Sequence, residues 1–277
     1  MNTNIEIIAN WQFDPVLMGL LLTAIISYFL AIGPLRTHIN RTAKFPKAKA
    51  GIFVLAIIVS YLIEGSPLHD IAERYLFSIH MSQHLFLTYF AAPLFILAMP
   101  NWLLEPMLLN NYTKHLTKLL TNPIVAALIY TLFLSIWHFP VIYDAGLRNS
   151  SLHHSQHFLF LIVSFIFWWP VMHNLADLPK LHPLLKIVYL FVSSTLLQIP
   201  LFAMITFADK AFYPSYENAP RIFFNSALED QRVGGVIMKI LAMLFYILPM
   251  TIIFFKWYQK EHNAKHTQDS QTFSASD

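Results

Sequence analysis

Long apolar stretches alternate with short polar ones along the whole chain. Charge-free windows run Pro15–Leu35, Ala50–Ile63, Tyr75–Leu104, Leu119–Tyr143, Asn149–Ala176, Ile187–Ala208 and Val233–Phe255, the last broken only by Lys239. A helix needs about 20 residues to cross the hydrocarbon core of a bilayer. The second window is shorter, but Lys47 and Lys49 can snorkel at its end, so it counts as spanning. The pattern predicts an all-α fold, a polytopic membrane bundle of seven transmembrane helices. Pro93, Pro140, Pro170, Pro200 and Pro249 fall inside or beside these windows and are expected to kink or end helices.

Composition agrees with this. Of 277 residues 56% are hydrophobic and only 12% charged, about half the charge of a soluble domain. The formal charge of +3 is too small to argue for a nucleic-acid partner; the partner implied by composition is membrane lipid. Cysteine is absent, which removes disulfides, thiolate catalysis and Cys-based metal sites. A soft-metal site here would have to be built from His and Met. Seven glycines leave no phosphate-cradling loop.

Orientation follows the Lys/Arg bias of short loops. Arg36, Arg41, Lys44, Lys47 and Lys49 lie between the first two windows. Alternating from that block, the same side gains Lys114, Lys118, Lys180, Lys186, Lys256, Lys260 and Lys265, against Arg74, Arg148, Lys210, Arg221 and Arg232 on the other. The expectation is N-terminus out and C-terminus in. Residues 1–14 then form a short extracytoplasmic head, 15–258 the membrane domain and 259–277 a polar cytoplasmic tail. The first 35 residues lack a basic segment ahead of the apolar run, so no signal peptide is expected.

This topology gathers the histidines. His80 and His84 fall near the outer end of the third helix, His138 at the outer end of the fourth, and His153, His154 and His157 at the start of the fifth, with His69 nearby. His80/His84 and His153/His157 are each spaced i,i+4, which puts two imidazoles on one helix face, the usual construction of a helical metal site. His154/His157 would also share a face, so the register of that triplet stays open. Met81 lies beside His80, and Met238 sits in the outer half of the last helix. Imidazole with thioether suits copper, while zinc and haem iron would also accept imidazole. Ionisable groups inside a membrane cost several kcal/mol unless partnered, which favours a functional reading. Asp144 reads as a loop residue near the site rather than a ligand. Lys239 in the last helix evokes a retinal Schiff base, but the third helix holds no counter-ion carboxylate between Arg74 and Glu105.

Four motifs carry a family resemblance. "HMSQH" (80–84), "WHFPVIYDA" (137–145), "HHSQH" (153–157) followed by "FWWP" (167–170), and "EDQRVGGVIM" (229–238) stand in order on the expected helices. Over roughly residues 12–257 the chain resembles the CtaG-like family of cytochrome c oxidase assembly factors, the polytopic kind rather than the single-span Cys-containing copper chaperone. The resemblance implies a bacterial cytoplasmic-membrane protein, not an enzyme, that matures haem–copper oxidases at the copper step. It also implies an oxidase partner, subunit I or II. Carried over by position, the family's recurring polar residues are His80, Gln83, His84, His138, Asp144, His153, His157, Asp230 and Gln231. The expected metal ligands are His80, His84, His138, His153 and His157, with Met81, Gln83, Asp144, Asp230, Gln231 and Met238 as supporting or weak ligands. The sequence departs from the pattern at Gln156, where an acidic residue is common, at Arg232, where a second Gln is common, and at Lys239, where an aromatic is expected. A positive charge directly after Met238 argues against it as a direct ligand.

Two other readings remain. A b-type haem or quinone protein would use the histidines as axial or binding groups. A metal-dependent intramembrane hydrolase would need a carboxylate beside a metal-bound water, and no Glu lies within a turn of either His pair in sequence.

Overall fold

The computed structural model describes residue 11, residues 13–176 and residues 178–274, with side chains except at 107 and 265–274. Of the expected head, residues 1–10 and 12 lie outside the described residues, as do 275–277 of the tail. The described chain is helical, with no strand. The main helices are α1 (Pro15–Ile32), α2 (Lys47–Glu64), α3 (Pro67–Arg74), α4 (Phe77–Ala98), α5 (Asn111–Leu120), α6 (Pro123–Trp137), α7 (Pro140–Arg148), α8 (Ser150–Met172), α9 (Pro183–Thr206) and α10 (Ala227–Ser274).

Five helices are individually long and apolar enough to span a membrane, namely α1, α4, α8, α9 and α10. The count reaches seven if each bent pair is one span: α2 with α3, bent by 44°, and α5 with α6, bent by 66°. Both bends have a local cause. Gly65-Ser66-Pro67 ends α2 and starts α3 with Pro at a position whose N–H has no helical partner to lose. Asn122 caps α6 through its Oδ1, accepting from Ile124 N at 3.0 Å, with Pro123 opening the helix. Asp144, expected in a loop, lies within α7.

Two of the expected prolines act through π-helical turns. Pro93 follows the turn Leu87–Ala91 and Pro200 follows Ser193–Leu197. A proline ring clashes with the carbonyl four residues back and removes one hydrogen bond, and a widened turn relieves that clash. Each turn has a carbonyl taken by a distant side chain. Trp168 Nε1 donates to Thr88 O at 2.9 Å, and Lys239 Nζ donates to Ser194 O at 2.9 Å. Lys239, unassigned by sequence, therefore supports the irregular turn of α9. Pro170 and Pro249 lie inside α8 and α10.

A large core joins α4, α6, α8, α9 and α10, and a smaller one joins α1, α2 and α4. Backbones come close where glycine permits: a Cβ at Gly234 of α10 would collide with the Phe77 ring of α4. Alongside, Asp230 accepts hydrogen bonds from the backbone N–H of Phe77 at 2.6 Å and Ser78 at 3.2 Å. A carboxylate at a helix N-terminus satisfies orphan donors and complements the dipole. Gln231 accepts from Phe212 N at 2.7 Å and donates to Ile205 O. At the other end of α4, Lys49 donates to the Leu97 and Met99 carbonyls, both at 2.9 Å, capping that helix. The Asp230, Gly234 and Lys49 contacts hold α4, the helix that carries His80 and His84, while those of Gln231 tie α10 to the end of α9 and to Phe212.

Candidate metal centre

In the first turns of α4, His80 and His84 lie with ring centroids 4.5 Å apart, tilted by 55°, and Nε2 atoms 2.6 Å apart. Across from them α8, capped by Asn149, turns His153 and His157 inward, their centroids 4.3 Å apart. His154 points elsewhere, to Asp14 at 3.2 Å. The triplet's register therefore puts 153 and 157 on the shared face. His157 reaches both α4 imidazoles, 4.8 Å from His84 and 5.9 Å from His80. One ring nitrogen from each of His80, His84 and His157 lies within 4.8 Å of the others, and all three residues are buried. Nδ1 of His80, Nδ1 of His84 and Nε2 of His157 have no hydrogen-bond partner among the described residues. Buried polar atoms in that state are uncommon, and an ion bound among them is one way to satisfy them.

His138 ends α6 and is also buried, but it stands outside that group. Its Nδ1 approaches Leu134 O at 2.7 Å and its Nε2 approaches Met81 Sδ at 3.3 Å. Met81, His84, His138 and Met238 line one small cavity of about 20 Å³. The other expected residues are engaged away from the imidazoles. Gln83 donates to Ile63 O at 2.5 Å, and Asp144 accepts from Ser215 N at 2.9 Å and pairs with Arg148. Asp230 and Gln231 make the helix-fixing contacts described above. Over the site, Tyr213 donates to His138 O at 3.0 Å and Tyr216 to Ala72 O at 2.7 Å. Burial raises both hydroxyls above the ordinary phenol range, so they stay protonated donors.

Two carboxylates escape the sequence reading, and both stand beside His69, which that reading placed near the cluster. Glu64, the last residue of α2, brings Oε2 to 2.7 Å from His157 Nδ1 and 3.9 Å from His69 Nδ1. Glu73 on α3 holds Oε1 at 2.8 Å from His69 Nε2 and 2.5 Å from His153 Nε2. No carboxylate is close to either His pair along the chain, yet two stand beside them in space. The sequence-based ground for setting aside a hydrolase is thus corrected. The available signal was the His69/Glu73 i,i+4 pair, masked by reading residues 64–74 as a connection between spans.

Residues 26–260 match the family model described as the cytochrome c oxidase caa3 assembly factor. The chain belongs to this family. Two curated relatives, uncharacterised proteins of Mycobacterium bovis and Mycobacterium tuberculosis, are each 22% identical to it over 291 aligned positions. The alignment takes in 95% of this chain but only 42% of theirs, so the chain spans less than half their length. No solved structure matches. Membership of this family and five to seven helices long and apolar enough to cross a membrane agree with each other.

Proposed function

We propose that this assembly factor binds copper at His80, His84 and His157 and hands it to the oxidase. The observation that carries this reading is the convergence of one ring nitrogen from each of three buried imidazoles, His80, His84 and His157. All-imidazole sites take copper in either oxidation state. The Met81–His138 pair adds softness. With Nδ1–H of His138 directed at the Leu134 carbonyl, a neutral ring presents the Nε2 lone pair to a thioether that cannot donate. Two electron-pair donors facing each other are completed by a soft cation such as Cu(I).

The haem alternative fits less well. A macrocycle needs a slot beside its axial imidazole, whereas the rings of His80, His84 and His157 pack on one another and Phe160 lies 4.6 Å from His84. Under the N-out, C-in topology expected from the Lys/Arg bias, the cluster faces the extracytoplasmic side of the bacterial membrane. Copper would then pass to subunit I or II there.

Oxidase activity per haem in cells lacking the protein tests the role. Oxidase polypeptides should be made and haem inserted, with activity low and partly restored by external copper. Full activity without the protein removes the assembly role, and a haem-free oxidase moves it to haem delivery.

A further inference from the structure

Glu64 and Glu73 are not needed to hold an ion among His80, His84 and His157, and their surroundings call for a positive charge. Among the described residues no Lys or Arg lies within ion-pair distance of either; their partners are only imidazoles. The nearby guanidinium of Arg74 pairs with Asp70 at 2.8 Å, and that of Arg148 pairs with Asp144. His153, only 6% exposed, keeps Nε2 without in-line hydrogen bonding although the Glu73 carboxylate is adjacent. One ligand atom each from His69, Glu73 and His153 lies within 4.8 Å of the others.

We propose that His69, Glu73 and His153 form a second metal position, distinct from the three-imidazole one, that takes a divalent cation of borderline softness. Two imidazoles and a carboxylate suit Cu²⁺ or Zn²⁺, which accept nitrogen and oxygen together. The dication neutralises Glu73 directly, and Glu64 stands between the two positions, 2.7 Å from His157 and 3.9 Å from His69.

Access separates the two. A cavity of about 430 Å³ between α1, α3 and α8 is lined by Glu64, His69, Glu73, His153 and His157, but not by His80 or His84. An ion arriving through this cavity meets Glu73, His69, His153 and His157 before it reaches the two α4 imidazoles. His157 and His153, one turn apart, carry it inward by ligand exchange, with no change of oxidation state required. The existence of the second position is independent of the copper reading above; only the direction of transfer rests on it.

The test is a Cu²⁺ titration of the chelator-stripped full chain in detergent, read by metal analysis after dialysis and by electron paramagnetic resonance. Wild type should bind two ions, with dipolar broadening as the second enters. Glu73→Gln and His69→Gln should each lose one ion and the broadening. A His80→Ala, His84→Ala double variant should keep one ion, with mixed nitrogen and oxygen ligation. Unchanged stoichiometry in both Glu73→Gln and His69→Gln overturns the proposal. So does a wild-type titration that ends at one ion with all-nitrogen ligation, or at two without broadening, a readout that does not depend on any variant folding. If only the His80/His84 variant leaves stoichiometry unchanged, the three-imidazole reading fails while this one stands.

Discussion

The Glu64 carboxylate lies 2.7 Å from Nδ1 of His157, where the end of α2 meets the first turns of α8. An acceptor there orients the ring and raises the basicity of its other nitrogen, the usual role of a carboxylate behind a metal-binding histidine. Glu64 therefore links helices that the sequence gives no reason to connect, at the point where the proposed copper ligands converge.

Glu64→Gln should weaken metal binding at the cluster by about 10–100-fold, the usual cost of losing such a partner. Competition against a chelator of known affinity measures it. An unchanged affinity would reduce Glu64 to a packing residue.

Lys239→Met should lower stability by about 1–2 kcal/mol, because the Ser194 carbonyl in the π-helical turn loses its donor. Thermal unfolding in detergent reads the shift. Metal stoichiometry should stay at the wild-type value; its loss, with melting unchanged, would make Lys239 part of the site.

Asp230→Ala should cost about 1–2 kcal/mol by uncapping the start of α4. It should also loosen the helix that carries His80 and His84. The expected signature is a lower melting temperature together with weaker, not absent, metal binding. Complete loss of metal with unchanged melting would make Asp230 a ligand rather than a cap.

A reporter active only outside the cytoplasm, fused after residue 277, should stay silent. The expectation follows from the Lys/Arg asymmetry. Activity of that fusion would invert the topology and put the imidazoles on the cytoplasmic side.

The paired histidines were legible because helical periodicity alone puts residues four apart on one face. His80/His84 and His153/His157 needed only the fact of a helix. Their meeting across α4 and α8 needed only similar depth. Glu64 and Glu73, and the way His69 meets them, were not legible, because their approach depends on the bend between α2 and α3, and a bend angle has no periodic signature. Asp230 and Gln231 were found as recurring family residues, but their partners, Phe77, Ser78 and Phe212, are distant in sequence, so capping could not be told from ligation. Apolar windows implied seven spans; the structure reaches seven only if α2 with α3, bent at Gly65-Ser66-Pro67, and α5 with α6, bent at Asn122-Pro123, are each one span. The π-helical turns showed in the sequence only as Pro93 and Pro200.

The central claim is that the α4 imidazoles are ligands rather than packing. Its most direct test is the amount of Cu(I) retained per chain, under reducing conditions, by a His80→Ala, His84→Ala double variant. His154→Ala serves as the control, because that ring points away from the cluster. The account predicts that the double variant inserts, elutes as a single species and loses the Cu(I) that wild type and His154→Ala retain. Equal Cu(I) in the double variant and wild type would contradict it.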